Sequence, residues 1–166
     1  MELMKEMIMF RPNRRKNKEI SLETSKDLLR SSRRGILSVN GDNGYPYAIP
    51  INYLYDEKNN KIIFHSSKVG HKVDSLKKSD KVCFTVYGNE TIKEEHWAPF
   101  LQSVVIFGRC RFIEKDEEII RLVKQFALKY YPNEEMVNKE IVSSGMNVQI
   151  FEIEIEHLSG KEIQEK

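Results

Sequence analysis

The sequence is poor in the features that mark specialised classes of protein. Only two of its 166 residues are cysteines, Cys83 and Cys110, and no CxxC or Cys/His spacing could make a zinc site of them. The 27 basic and 25 acidic residues give a formal net charge of +2, too small for a global field that gathers nucleic acid or anionic membrane. We therefore predict two buried free thiols in a reducing cytosol and no metal site.

Long apolar runs and the common nucleotide and hydrolase motifs are also missing. Runs such as 104–107 are too short to cross a bilayer, and charged residues interrupt the Met-rich start before a signal peptide could form. The sequence has no G-x-G-x-x-G after a strand, no Walker sequence and no G-x-S-x-G. We expect a soluble cytoplasmic protein with no membrane partner, outside the dinucleotide-binding, NTPase and serine-hydrolase classes.

What is present suffices for one compact domain. Apolar residues at 40% and aromatic residues at 10% can fill a core at this length. Residues 1–18 end in a polar, basic run without an apolar face, so we predict a flexible N-terminal arm before a single domain over 19–166. Nucleic-acid binding by this arm is not expected, because no aromatic residues are interleaved with its charges.

Hydrophobic periodicity divides the domain into strands and helices. Ser21 is positioned to cap a first helix that runs to about Arg33. Apolar spacing predicts further helices over about 71–78, 116–131 and 133–142. Alternating or continuous apolar segments predict strands over about 36–39, 45–55, 61–65, 81–87 and 101–113, with another from 151. This order predicts an antiparallel barrel with peripheral helices.

Two of the predicted strands also indicate which of their parts are exposed. Pro46 and Pro50 lie inside the second strand, and proline donates no ladder hydrogen bond, so this strand should carry a bulge or leave a backbone edge open to a ligand. In the last strand, the glutamates at 152, 154 and 156 alternate with apolar residues, which predicts one solvated face.

The segment 64–72, Phe-His-Ser-Ser-Lys-Val-Gly-His-Lys, carries the strongest chemical signal. It places two hydroxyls, a glycine and potential cations beside a new helix N-terminus, and each polar group can donate a hydrogen bond to a phosphate. An ordinary strand-to-helix loop with capping serines has the same composition. From these residues alone, both interpretations stay open.

Three segments together, 44–53, 64–72 and 82–84, closely resemble the FMN-binding split-barrel superfamily of pyridoxamine 5′-phosphate oxidase, nearest its nitroimidazole-resistance group. The resemblance implies a mainly β fold with peripheral helices, a six-stranded antiparallel split barrel that forms a homodimer and holds FMN in two clefts between subunits. It also implies ligand contacts: the backbone of Ile49, Pro50 and Ile51 at the isoalloxazine ring, Ser66, Ser67, His71 and Lys72 at the phosphate, Gln102 and Ser103 at the ring edge, and Trp97 as a cover.

The sequence also departs from the oxidases of that superfamily. Where they carry an Arg and a Lys for FMN on the second strand, this chain has Ala48 and Tyr53, and their Arg-rich carboxy-terminal substrate motif is missing. Oxidation of vitamin B6 is therefore not expected. The nitroimidazole-resistance group is instead assigned a histidine close to the flavin and the nitro substrate, and His71 matches it.

The predicted function is an FMN-dependent oxidoreductase that reduces a small planar acceptor, such as a nitroimidazole or another nitroaromatic, with a reduced nicotinamide as a possible electron donor. His71 is the candidate catalytic residue, and phosphate anchoring is its alternative role. A non-catalytic FMN-binding or heme-binding protein of the same fold is the alternative function. His65 should face away from Phe64 as a packed or surface histidine, and His96 and His157 receive no role.

Overall fold

A computed structural model describes residues 10–96, 98–131, 133–144 and 148–164 of the chain. Within these ranges the strands are β1 (Arg34–Asn40), β2 (Pro46–Asn52), β3 (Leu54–Asp56), β4 (Lys61–Ser66), β5 (Lys81–Lys93), β6 (Ala98–Ile113) and β7 (Gln149–Gln164). The α-helices are α1 (Leu22–Ser31), α2 (His71–Lys78), α3 (Asp116–Tyr130) and α4 (Glu134–Ser144). The predicted class, mainly β with peripheral helices, is confirmed. None of the helices in these ranges is long and apolar enough to span a membrane.

The strands form one antiparallel sheet in the order β2-β1-β5-β6-β7-β4-β3. The prediction of six strands is wrong, because the strand predicted over 45–55 divides into β2 and β3 at Tyr53. There, the Tyr53 N–H donates to Tyr130 Oη at 2.8 Å, and its carbonyl accepts from Lys129 Nζ at 2.9 Å. Side chains of α3 thus replace strand partners at Tyr53. The two ends of the sheet are consecutive in the chain and meet at this residue.

Strand β2 lies at an edge of the sheet, as its prolines predict. Among the strands that the structure describes, β1 is its one partner, with Pro50 opposite Ile36 and Ile49 opposite Leu37. Because proline donates no hydrogen bond, an edge position tolerates it where a central one would not. The prediction that β2 leaves a backbone edge open is confirmed.

One sheet face encloses the main core. Large side chains without exposed surface fill it, among them Tyr53, Phe64, Phe84 and Phe151, and α1 covers it with two leucines. The N-terminus of α1 is fixed as predicted, because the Thr24 N–H donates to Ser21 Oγ at 3.0 Å. On the opposite face, α3 covers a second cluster formed by Ile63, Ile113, Leu122 and Ile150.

Two predictions about buried groups need correction. Glu152 does not share the solvated face of Glu154 and Glu156, because it is only 6% exposed and both its oxygens lie 2.8 Å from Lys61 Nζ. Of the cysteines, Cys110 is buried as expected but Cys83 is half-buried. Burial raises the pKa of both thiols, that of Cys110 to about 12, so neither is a ready nucleophile.

The described part of the N-terminal arm, residues 10–18, contacts the sheet. The ring of Phe10 stacks on His157 at 5.0 Å and on Phe107 at 5.7 Å between centroids. A single 3-10 turn follows at Lys16–Lys18.

Candidate functional site

The loop between β4 and α2 ends in a backbone geometry suited to anions. Gly70, directly before α2, adopts φ 129° and ψ 172°, a conformation that strains any residue with a side chain. Among the described residues, no side chain caps the N-terminus of α2, so the N–H groups of its first turn are free to donate to another acceptor. A helix N-terminus of this kind carries partial positive charge and attracts an anionic group.

Lys72 adds a full positive charge to this helix start. Its ammonium lies 5.8 Å from the centroid of the Phe64 ring, and no carboxylate among the described residues forms an ion pair with it. Burial lowers the pKa of Lys72, since the low-dielectric surroundings disfavour the charged form. A half-buried cation without a counter-charge is a position that a bound anion would stabilise.

The two serines of the loop do not point their protons at a common centre. Ser66 Oγ donates to the carbonyl of Ser67 at 2.7 Å, and Ser67 Oγ donates to the carbonyl of Val69 at 2.7 Å. Neither hydroxyl caps α2, so the capping interpretation of these serines is wrong. Both hydroxyls form hydrogen bonds within the loop. Each would have to break its bond to the loop carbonyl before it could donate to a phosphate.

His71 connects the start of α2 to the edge strand β2. Its ring is stacked on Tyr47, with centroids 4.1 Å apart and ring planes at 27°, and its Nε2 lies 3.5 Å from Asp42 Oδ2. The imidazole remains 41% exposed. Sequence reasoning missed both partners, although Tyr47 shares the period-2 spacing of Ile49 and Ile51 on β2.

The residues assigned to the flavin ring lie on β2 beside this loop. Ile51 is buried and Ile49 half-buried on the core side, whereas Pro50 is exposed on the outer side. Strand β2 also contacts β4, whose end leads into the loop. The structure therefore brings β2 close to β4 and, through Tyr47 and His71, to the start of α2.

The remaining predicted residues lie elsewhere. Gln102 and Ser103 are on β6, three strands from β2, which amounts to about 14 Å along the sheet. There Gln102 Oε1 accepts a hydrogen bond from Asn89 Nδ2 at 2.8 Å. Within one chain, the strands β1 and β5 separate this pair from β2. Trp97 lies outside the described residues.

A cleft of about 700 Å³ adjoins the site and was not predicted from the sequence. It lies between the strand ends and the helices α3 and α4, and polar residues at its base include Asn52 and His65. The His65 ring meets Phe126 edge-on at 4.6 Å, and it faces away from the buried Phe64, as predicted. Burial, and secondly the charge of Lys72, lower the pKa of His65. In the described part of the chain, no cluster of His, Cys, Asp and Glu could hold a metal ion.

Comparisons with solved structures find the same fold in a nitroimidazole-resistance protein and in FAD-binding proteins. A Bacteroides thetaiotaomicron protein assigned to 5-nitroimidazole antibiotic resistance aligns over 87% of this chain and 85% of its own, with 19% identity and TM-score 0.73. A FAD-binding protein from Mesorhizobium loti aligns over 88% and 97%, with 20% identity and TM-score 0.62. A FAD and heme binding protein from Mycobacterium smegmatis aligns over 88% and 72%, with 17% identity and TM-score 0.68. Identities this low establish a shared fold only.

Sequence comparison assigns the family. A search among curated proteins finds no match. The family model described as pyridoxamine 5′-phosphate oxidase, however, matches residues 21–162, which include the four α-helices and the seven strands described above except the last two residues of β7. The chain therefore belongs to the pyridoxamine 5′-phosphate oxidase family.

Proposed function

We propose that the protein binds FMN and acts as an oxidoreductase that reduces a small planar acceptor, such as a nitroimidazole or another nitroaromatic. The observation that carries this proposal is the half-buried, unpaired ammonium of Lys72 beside the uncapped N-terminus of α2. Both groups favour an anion, and the free edge of β2 adjoins them. A flavin with a phosphate group fits these residues, and the flavin-binding proteins of the same fold support this choice.

The phosphate would be held by the loop and the helix start. Lys72 would supply an ionic hydrogen bond, and the backbone N–H groups after Gly70 would supply neutral ones. Ser66 and Ser67 would join them only by giving up their present bonds to loop carbonyls. We therefore expect Lys72 to contribute more to phosphate affinity than either serine.

The flavin ring would lie along the β2 edge, at the backbone of Ile49, Pro50 and Ile51. A bound flavin supplies the electron-transfer chemistry, while the protein binds and orients it. His71 is the residue of the chain best placed to hold or deliver a proton there, because Tyr47 and Asp42 fix its ring while 41% of it stays exposed. A reduced nicotinamide is the proposed electron donor.

We further propose that the active form is a homodimer. Gln102 and Ser103 are about 14 Å along the sheet from β2, so they would contribute to a site only in a second copy of the chain. The outer face of β1, β5 and β6 offers a surface for this contact, with Tyr87 63% exposed and Ile36 and Val105 half-buried. Sedimentation equilibrium should give twice the 19.5 kDa chain mass, and a monomer that retains flavin would contradict the dimeric site.

The function is tested by reconstitution and a single-turnover assay. The purified protein is titrated with FMN, FAD and riboflavin, and we expect FMN to bind more tightly than riboflavin because only FMN carries the phosphate. The FMN-loaded protein is then reduced and mixed with a nitroimidazole under anaerobic conditions, and flavin reoxidation is followed by absorbance. Equal affinities for FMN and riboflavin would contradict the phosphate site. Tight FMN binding without reoxidation would indicate a flavin carrier.

A further inference from the structure

The cleft beside the candidate flavin site carries positive charge that no described residue neutralises. Arg33 and Arg34 line it, and neither forms an ion pair within the described ranges. Acidic residues are close in sequence, but Glu23, Asp27 and Glu57 all bind Arg30 instead. The two guanidinium groups therefore remain available to an anionic ligand.

The two arginines lie where β1 begins, beside the end of β2. Arg34 starts β1 and lies opposite Asn52 of β2, which also lines the cleft. The guanidinium carbon of Arg33 lies 5.1 Å from the centroid of the Tyr130 ring. Both arginines precede a buried strand segment, so a rigid part of the fold sets their backbone positions.

The other walls of the cleft are flat and apolar. Phe126 and Tyr130 stack at 5.0 Å along one side of α3, and Ala127, Met136 and Ile150 extend the apolar surface. The volume of about 700 Å³ lies within the range of small-molecule sites. Aromatic walls with cationic groups at one end suit a planar aromatic molecule that carries an anionic substituent.

Two residues of the cleft adjoin, along the chain, the residues assigned to the flavin. Asn52 directly follows Ile51, and His65 directly precedes Ser66. Asn52 offers amide donors and acceptors, and His65, whose pKa is lowered, offers a neutral imidazole near pH 7. A ligand in the cleft would thus lie beside Asn52 and His65 and within reach of the arginines, because Arg34 pairs with Asn52.

We propose that this cleft is the acceptor pocket and that it selects flat aromatic acceptors bearing a carboxylate or another anionic group, which Arg33 and Arg34 bind. The inference rests on the proposed function, which specifies a planar acceptor but not the charge of that acceptor. It predicts that a neutral nitroaromatic is a poorer ligand than an anionic one of the same shape.

A matched pair of probes tests the charge preference. The purified full-length protein, with and without added FMN, is titrated calorimetrically with 4-nitrobenzoate and with 4-nitrobenzamide, which differ in charge but little in shape. We expect nitrobenzoate to bind about tenfold more tightly, the scale of one or two ionic hydrogen bonds. The doubly substituted variant Arg33→Gln, Arg34→Gln should lose this preference, whereas Arg121→Gln, on the same helix as Phe126, should retain it.

A second variant keeps the test decisive if the arginine variant does not fold. Met136 lines the cleft yet is 60% exposed, so Met136→Glu should fold while it opposes an anion in the pocket. We expect it to reduce the preference for nitrobenzoate. Equal binding of the two probes to the wild type, or an unchanged preference in both variants, would overturn the inference.

The assay separates this inference from the proposed function. FMN binding without an anion preference would refute the acceptor pocket alone, and an anion preference without FMN binding would refute the flavin proposal alone. If the arginine substitutions instead weaken only the binding of reduced nicotinamide dinucleotide, the cleft would belong to the electron donor and the inference would be wrong.

Discussion

The imidazole of His71 is stacked on the phenol ring of Tyr47, with centroids 4.1 Å apart. Tyr47 packs against the main core from the edge strand, and His71 is the first residue of α2. The pair therefore fixes the helix N-terminus relative to β2. This contact between side chains joins the start of α2 to the edge strand of the proposed site.

Substitution of His71 should affect turnover more than flavin binding. Gln retains hydrogen-bond donors but transfers no proton near neutral pH, so we expect His71→Gln to bind FMN within about threefold of the wild type and to slow acceptor reduction by about 100-fold. Stopped-flow reoxidation of the fully loaded, reduced variant measures this. Asp42→Asn, which removes the carboxylate 3.5 Å from Nε2 and keeps the imidazole stacked on Tyr47, should slow reduction far less than His71→Gln. A wild-type rate in the glutamine variant would leave His71 with an anchoring role only.

Removal of the Lys72 ammonium should weaken FMN binding specifically. We expect Lys72→Met to cost about 1–3 kcal/mol of FMN affinity, the range for a hydrogen bond to a charged partner, with little change for riboflavin. Fluorescence titration of both flavins measures the difference. Lys77→Met, on an exposed position of the same helix, is the control. Parallel losses for FMN and riboflavin would show that Lys72 does not contact the phosphate.

Loss of one hydroxyl should loosen the junction between the sheet ends. In Tyr130→Phe the Tyr53 N–H loses its acceptor at 2.8 Å, and the Arg33 and Tyr53 carbonyls, each 2.6 Å from Tyr130 Oη, lose this neighbour. We expect the free energy of unfolding to fall by about 1–3 kcal/mol in urea titrations. Tyr131→Phe, whose side chain is exposed, should change it by less than about 0.5 kcal/mol. Equal stability of both variants would contradict the role given to Tyr130.

The same junction predicts a pH dependence of stability. Burial, and secondly the charge of Arg33, lower the pKa of Lys129 to about 8 in the folded protein, against 10.5 in the unfolded chain. Between these values the unfolded state binds more protons, so the penalty for burying the charged lysine is complete below pH 8 and disappears as pH rises towards 10.5. The stability of the wild type relative to Lys129→Met should therefore increase by about 1–2 kcal/mol between pH 7 and pH 10.

Urea titrations at several pH values measure this difference. Lys139→Met replaces a lysine exposed on α4 and provides the control, since it should follow the wild-type curve. If the free energy of unfolding changed with pH equally in the wild type and in Lys129→Met over this range, the lowered pKa of Lys129 would be contradicted.

Local patterns in the sequence were sufficient to predict most strands and helices and part of the candidate site. The bounds of α2 match the predicted 71–78, and Ser21 caps α1, because both depend on residues within one helical turn. The two prolines of β2 indicated its edge position by the same kind of local constraint. The family resemblance placed 49–51 and 66–72 at one ligand, which stays a prediction, and the structure adds the contact of β2 with β4 and of Tyr47 with His71.

Features that depend on distant partners escaped prediction. The division of the second strand at Tyr53 depends on Lys129 and Tyr130, and the burial of Glu152 depends on Lys61, 91 residues away. The cleft was missed for the same reason, since no short segment contains both its arginines and its aromatic wall. Hydrophobic periodicity indicates which face of a strand or helix is buried. It does not indicate which charged residue of another strand or helix lies against that face.

The junction of β2 and β3 at Tyr53 also affects the order in which parts of the sheet can form during synthesis. The Tyr130 hydroxyl that bonds the Tyr53 N–H is translated 77 residues later, and β4 waits still longer for its pairing partner β7. Until β7 is synthesised, β4 has β3 as its partner, whereas β1 already has both β2 and β5. Closure of the sheet thus requires β7, and folding should be slow for a protein of this length, as expected where distant contacts dominate.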